Sequence, residues 1–335
     1  MKIAGFLLVW MACASMRAQT GGSVVRLDPA LDKIVPVGAK VEPVLSEGGF
    51  FEGPTWIPGH PGHLIFVNIA GNVIYALGPN SKVSVALYNL YSGNTTDAVV
   101  YDSGRLKYKL IGPDGTALDN EGRLTYCEFG GRRVVRVEWD GTRTVLADRY
   151  EGKRLNMPNN LVYKSDDSLY FTDSAADTKR SKGDPRNGTS FAGVCRLANG
   201  SLRLLSRDLM PNGIAFSPDE RYLYLTHGPQ KVMRYDVLPE GAIANGQVFA
   251  DMARDPAFGF ADGLKVDKDG NVYAVGPGGV WIITTAGQHI GTILAPQKRF
   301  TNLSFGGEDG KTLYFTAPEG LYRISMHTSR ILSVK

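Results

Sequence analysis

Short stretches in which apolar and polar residues alternate, each broken by an Asp- or Gly-rich turn, recur from about Val44 to the end of the chain. They include Leu118–Tyr126 around Asp119-Asn120-Glu121-Gly122, Leu161–Phe171 around Asp166-Asp167, and Ile214–Tyr224 around Pro218-Asp219-Glu220. Leu264–Tyr273 around Asp267-Lys268-Asp269-Gly270 and Leu303–Tyr314 around Glu308-Asp309-Gly310 complete the series, and Glu52–Asn68 is a weaker copy that turns at Pro58–Gly62. Alternation with a period of two puts one face of each stretch in a core, so these are strands. The turns supply the positive φ that a tight hairpin demands. No stretch keeps a helical period over any length, and the pattern predicts an all-β chain.

Each hairpin opens with a carboxylate or an amide: Glu52, Asp114, Asn159, Asn212, Asp262 and Asn302. Their separations of 62, 45, 53, 50 and 40 residues match the length of a propeller blade, about 40 to 50 residues. The count predicts a six-bladed β-propeller with a central channel. Innermost strands all start at the same end of that channel, so the six opening residues form a ring there. Val25–Val44 and Gly320–Val334 both read as strand and can share a blade, which closes the circle and removes the exposed edges.

At 335 residues with 40 Gly, and with no Pro/Ser-rich linker or composition break, the chain reads as a single propeller domain over residues 19–335. Residues 1–18 have the form of a cleaved signal peptide: Lys2, an apolar run from Ile3 to Ala14 too short for a membrane span, and small residues before Ala18. The mature protein is expected to be secreted or periplasmic. It retains 35 basic and 33 acidic residues, a balance that argues against nucleic acid as a partner. Lys179-Arg180-Ser181-Lys182 sits among Gly, Asp and Pro and reads as a solvated loop. Cys127 and Cys195 either pair or stay as buried free thiols, and neither has a partner at metal-ligand spacing. The tract Tyr91–Leu110, which makes the first spacing the longest, is either a lid or a long loop, and we expect a solvated insertion. The sequence leaves the oligomeric state open.

Glu52, Asn159, Asn212 and Asp262 offer only hard oxygen donors, two charged and two neutral, the set that Ca²⁺ or a similar divalent ion prefers. A lone Asn or Asp before Gly usually makes a turn, but six polar residues in phase are not explained that way. No Gly-X-Ser-X-Gly elbow is present, so a serine-hydrolase mechanism lacks support.

From about Val44 to Ile324 the chain resembles the senescence-marker-protein, gluconolactonase and luciferin-regenerating-enzyme family of six-bladed propellers. The resemblance is carried by Phe51–Trp56 (FEGPTW), Ala147–Asn156 (ADRYEGKRLN), Pro158-Asn159-Asn160, Met210–Ser217 (MPNGIAFS) and Asp262-Gly263-Leu264. The second of these blocks, together with Thr301–Gly307 (TNLSFGG), looks most like the bacterial gluconolactonase branch. It implies a lactone hydrolase with one divalent ion, Ca²⁺ first and Zn²⁺ or Mg²⁺ otherwise, held at the channel mouth by the residues matching Glu52, Asn159, Asn212 and Asp262. The ion would polarise the lactone carbonyl while a carboxylate takes a proton from the attacking water. Asp262 is the first candidate for that role and Asp114 the second. Asn159, Asn160, Glu128, His227 and Asn302 are candidate substrate contacts.

The chain departs from the family at three places. Asn160 stands where Asp is usual, Cys127-Glu128-Phe129-Gly130 replaces a Glu-His-Gly run, and Asp114-Gly115 replaces Asn-Gly. The first two point to a substrate less polar than a sugar lactone. Alternatives are a non-catalytic Ca²⁺-stabilised propeller binding a sugar or protein partner, and an arylesterase or phosphotriesterase using the same ion.

Overall fold

The computed structural model describes residues 23–335 apart from 47, 96–97, 103–106, 176–190, 208–209, 229, 297–298 and 332–335. The expected signal peptide and the basic stretch at 179–182 lie outside the described residues. Strand follows strand along the chain, and a short 3-10 turn at Pro29–Lys33 is the one helical element among the described residues.

The strands form six antiparallel blades around a channel. Their innermost strands are Phe51–Ile57, Pro113–Leu118, Pro158–Tyr163, Pro211–Phe216, Leu264–Val266 and Asn302–Gly306, for blades 1 to 6 in that order. Each of these packs against the innermost strands of both neighbouring blades, so the circle is complete. As expected, the two chain ends meet in one blade. Glu42–Ser46 pairs with Gly320–Ser325 as the outer strand of blade 6. The sequence did not announce a second seam, in which Val24–Arg26 adds a fifth strand to blade 5 against His289–Leu294.

The turns between the first two strands of the blades are held as their composition implies. Asp119, Asp219, Asp267 and Asp309 each accept a hydrogen bond from the backbone N–H two residues on. One apolar layer fills the space between every pair of adjacent blades. Edge-to-face aromatic pairs such as Tyr170–Phe216 and Tyr273–Phe305, with centroids 5.0 and 5.1 Å apart, lock neighbouring blades together. Cys127 and Cys195 are free thiols buried in the layer between blades 2 and 3, and burial pushes both well above the usual thiol range.

The tract before blade 2 is a correction to our expectation. It folds into a hairpin, Val99–Asp102 with Lys107–Leu110, that packs on the protein. Alternation along both strands puts Val99, Tyr101, Tyr108 and Leu110 on one face, and these join the cluster around Phe50 between blades 1 and 2. Tyr101 lies edge-on to Phe50 at 4.8 Å, and the Tyr108 hydroxyl reaches Glu319 of blade 6 at 3.3 Å. An apolar face of four residues is enough to hold the hairpin against the channel mouth.

Candidate active site at the channel mouth

The opening residues owe their placement to an irregularity repeated in the innermost strands. Pairing with the second strand slips between Glu52 and Thr55, between Pro158 and Leu161, and between Pro211 and Ile214. Such bulges re-aim a side chain out of the sheet, here toward the channel. The glycine that usually follows is required by the next blade. A Cβ on Gly213 would lie 2.6 Å from the Asp262 carbonyl, and one on Gly263 would lie 2.2 Å from Asn302 Oδ1. Threonines staple the blades at this level: Thr116 Oγ1 donates to the Gly53 carbonyl at 2.7 Å and Thr172 Oγ1 to the Asn212 carbonyl at 2.7 Å, while Thr226 Oγ1 donates to the Asp262 carbonyl.

Five of the six opening residues join one hydrogen-bonded network, with Asn160 at its centre. Asn159 Nδ2 donates to Asp114 Oδ2 at 2.8 Å. Asn160 Nδ2 donates to Asn159 Oδ1 at 2.8 Å and to Asn212 Oδ1 at 3.1 Å. Asn302 Nδ2 donates to Asn160 Oδ1 at 2.8 Å and to Glu52 Oε2 at 2.9 Å. Since Asn160 belongs to blade 3 and Asn302 to blade 6, their bond spans the channel from one side to the other. Asp262, the sixth, is tied to Arg299, whose Nη1 donates to its Oδ2 at 3.2 Å. Glu52, Asp114, Asn160, Asp262 and Asn302 are all buried, whereas Asn159 and Asn212 are half-buried.

Behind Asn159, Asp173 fixes the approach of the chain. Its carboxylate accepts the backbone N–H groups of Asn156 and Met157 at 2.9 and 2.8 Å. Burial outweighs these bonds and raises the Asp173 carboxyl to about 7. Burial likewise raises Glu52 above the usual carboxylate range, against the opposing pull of the Gly53 N–H, the Asn302 amide, Arg299 and Lys265.

Lys265 and Arg299 are the residues that sequence reasoning missed. Lys265 is enclosed by the channel walls yet keeps part of its surface open to the channel, and its Nζ donates to the Leu264 carbonyl at 3.2 Å. Desolvation lowers it to about 8 in spite of Glu52 nearby. Its position three residues beyond Asp262 on an innermost strand was the available signal. Arg299 precedes the last blade in a loop without motif or periodicity.

Two candidates stand beside the ring, without a described bond to it. Glu128 ends the second strand of blade 2 and is held by Arg133, whose Nε and Nη2 lie 2.9 and 3.1 Å from its two oxygens. His227 pairs in register with Pro211, next to Asn212. Both its ring nitrogens are sealed from solvent and make no hydrogen bond among the described residues. Burial, with Lys231 close by, lowers its imidazole below the usual range, so it is neutral at pH 7. His63 sits at the opposite end of its blade, paired with Ile57.

The donor set suits a hard cation. Asn159 Oδ1 and Asn212 Oδ1 already converge on a single positively polarised group, the Asn160 amide, and Glu52 Oε2 and Asp262 Oδ2 each meet an N–H donor. Each of the four candidate donor oxygens thus faces an N–H group. Among the described residues no three His, Cys, Asp or Glu side chains gather so as to hold a metal ion, and two of the four candidate donors are amides. Oxygen-only coordination of this kind fits Ca²⁺ or Mg²⁺ better than it fits a thiophilic ion.

The fold and the ring define an all-β six-bladed propeller with a polar, oxygen-lined mouth. Residues 50–319 match the SMP-30/Gluconolactonase/LRE-like region family, and the chain belongs to that family. It is 28% identical over 325 residues to a gluconolactonase of Zymomonas mobilis, spanning 94% of this chain and 89% of that protein. A solved gluconolactonase from Xanthomonas campestris is similar at 25% identity and TM-score 0.76, over 92% of this chain and 97% of that one. A calcium-binding protein, regucalcin of Agrobacterium tumefaciens, shares the fold at 18% identity and TM-score 0.67, over 86% of this chain and 94% of that one.

Proposed function

We propose that the protein is a lactonase that uses one divalent cation, Ca²⁺ first, at the channel mouth. The observation that carries this reading is the set of oxygen donors Glu52, Asn159, Asn212 and Asp262 at one end of the channel, each facing an N–H group. Similarity to gluconolactonases along nearly the whole chain supports the substrate class.

A divalent ion held by these four residues supplies Lewis acidity at the lactone carbonyl oxygen. The chain provides the rest. Asn159 and Asn212, the half-buried members of the ring, face the incoming substrate, and Asn160 and Asn302 seal the channel beneath them. Water adds to the carbonyl carbon as a carboxylate takes its proton, and the ring C–O bond then breaks as the same carboxyl returns that proton to the leaving ring oxygen, giving the hydroxy acid and the free carboxylate. Asp262 takes the proton, with Asp114 on the opposite blade as second candidate. The hairpin carrying Tyr101 and Tyr108 walls one side of the mouth, and we assign it to substrate selection.

Proton release on adding glucono-δ-lactone, then a panel of γ- and δ-lactones, tests the reading when chelator-treated protein is compared with protein resupplied with Ca²⁺. Metal-restored hydrolysis that vanishes in Asp262→Ala supports it. If no lactone turns over while Ca²⁺ still raises the melting temperature, the ion is structural and the propeller is a binding platform. We also propose export, from Lys2 and the apolar run that follows it. N-terminal sequencing of the protein from its native host checks this, and an intact Met1 would refute it.

A further inference from the structure

Arg299 is over-determined for a residue that only balances Asp262. Its guanidinium is flanked by three aromatic rings from separate parts of the mouth: Phe50 before blade 1, Tyr101 of the packed hairpin and Phe260 of the loop before blade 5, with centroids at 5.8, 5.1 and 5.2 Å. The residue is only 8% exposed. Among the described residues Nη1 alone is hydrogen-bonded, to Asp262. Nε is sealed from solvent without a partner among the described residues, although leaving a buried donor unmet costs about 1 to 3 kcal/mol. Nε and Nη2 lie along one edge of the guanidinium, the fork that matches the two oxygens of a carboxylate. The structure therefore holds a rigid cation beside a candidate catalytic carboxylate, with its anion-binding edge unused. Charge points the same way. Glu52, Asp114 and Asp262 share the mouth with Lys265 and Arg299, and a divalent ion would add two positive charges there.

We propose that Arg299 is a specificity-determining residue whose Nε–Nη2 edge binds a carboxylate carried by the lactone substrate in addition to the ring ester. The preferred substrate is then an acidic lactone, in place of the less polar substrate expected from Asn160 and Phe129. This rests on the lactonase reading and names its substrate class. Phe260, which is 40% exposed, is the wall that moves to admit the carboxylate, while Phe50 and Tyr101 keep the guanidinium flat and oriented. A carboxylate placed there is anchored next to Asp262, with the ester carbonyl free to reach the ring oxygens.

The test compares glucono-1,4-lactone with glucaro-1,4-lactone, which share a ring and differ by a hydroxymethyl against a carboxylate, using Ca²⁺-loaded wild type, Arg299→Gln and Arg299→Lys. The wild type should show a KM at least about tenfold lower for the acidic lactone, as expected of a charge-assisted pair. Arg299→Gln should raise the acidic lactone's KM about tenfold more than the neutral lactone's, any loss common to both substrates reporting the contact with Asp262, with Arg299→Lys in between because it keeps charge without the fork. Equal KM values in the wild type overturn the proposal, and that result needs no variant to fold. So does an equal loss on both substrates in Arg299→Gln, which would leave Arg299 as a support for Asp262 alone. If neither lactone is hydrolysed, the lactonase reading fails separately, and calorimetric titration with glucarate and the uncharged alditol glucitol decides the anion site. Glucarate binding about tenfold tighter than glucitol in the wild type, and lost in Arg299→Gln, supports it; equal binding overturns it.

Discussion

Asn160→Asp would set the metal-free and cation-loaded forms of the mouth against each other. In the structure, Asn160 Nδ2 donates to Asn159 Oδ1 at 2.8 Å and to Asn212 Oδ1 at 3.1 Å, while its own Oδ1 accepts from Asn302 Nδ2 at 2.8 Å. An aspartate keeps the third bond and loses the first two, worth about 1 kcal/mol each. It also adds charge at a position only 4% exposed, facing two oxygens that have lost their donor, for at least another ~1 kcal/mol. The sum is about 3 kcal/mol against the metal-free fold. A chain of 335 residues has an unfolding entropy near 0.7 kcal/mol/K by the usual per-residue value, so Tm should fall by about 4 °C. With millimolar Ca²⁺ the deficit narrows: the new carboxylate becomes a ligand, affinity rises about tenfold with the added charge, and the variant gains about 1.4 kcal/mol more stability from the ion than wild type does, so roughly half of the loss is recovered. Scanning calorimetry with chelator and with Ca²⁺ reads both arms. A chelated variant as stable as wild type, or a Ca²⁺-induced rise in Tm no larger than that of wild type, would refute the reasoning.

Other expectations follow from the same geometry. If Asp114 is the proton acceptor, Asp114→Asn should lower kcat at least about a hundredfold, the usual scale of general-base catalysis, with Ca²⁺ affinity by calorimetry unchanged; an unchanged kcat returns the role to Asp262. Thr226→Val removes the hydroxyl that accepts from Gly213 N at 2.6 Å and donates to the Asp262 carbonyl, and should cost about 2 kcal/mol, or ~3 °C in Tm. The Asp173 carboxyl is raised to about 7 in the fold from an ordinary value of 3.8, so the folded state binds the proton more tightly. Its contribution to stability is fully present below about pH 4 and is lost as pH rises through about 7. Denaturation between those limits should show this slope, and Asp173→Asn should flatten it; a parallel profile in the variant would contradict the assignment.

Most of the fold was legible because propeller blades repeat in phase. Alternation gave the strands, Asp-rich turns gave the hairpins, and the spacing from Glu52 to Asn302 gave both the number of blades and the ring. That ring is where the structure brings Asp114, Asn159, Asn160, Asn212, Asn302 and Glu52 together, with Asp262 bonded to Arg299 instead. What escaped lies off the repeat. Val24–Arg26 is three residues long and finds its partner in blade 5 only through tertiary contact. The hairpin after Tyr91 has the right alternation, but its apolar face is meaningful only once Phe50 is known to lie beneath it. Arg299 reaches Asp262 from a loop, and its importance comes from three aromatic residues far apart in sequence. Two of the threonine staples did leave a trace, in Tyr170-Phe171-Thr172 and Tyr224-Leu225-Thr226. There the hydroxyl recurs two residues after a tyrosine on the second strand of a blade.

The most direct test of the central claim is to strip the protein of divalent ions and measure glucono-δ-lactone hydrolysis as Ca²⁺ is added back in known amounts. The account predicts a rate near background at the start, rising in proportion to added Ca²⁺ and levelling at one ion per chain. An undiminished rate in the stripped protein, or a level rate near background throughout the titration, would contradict it.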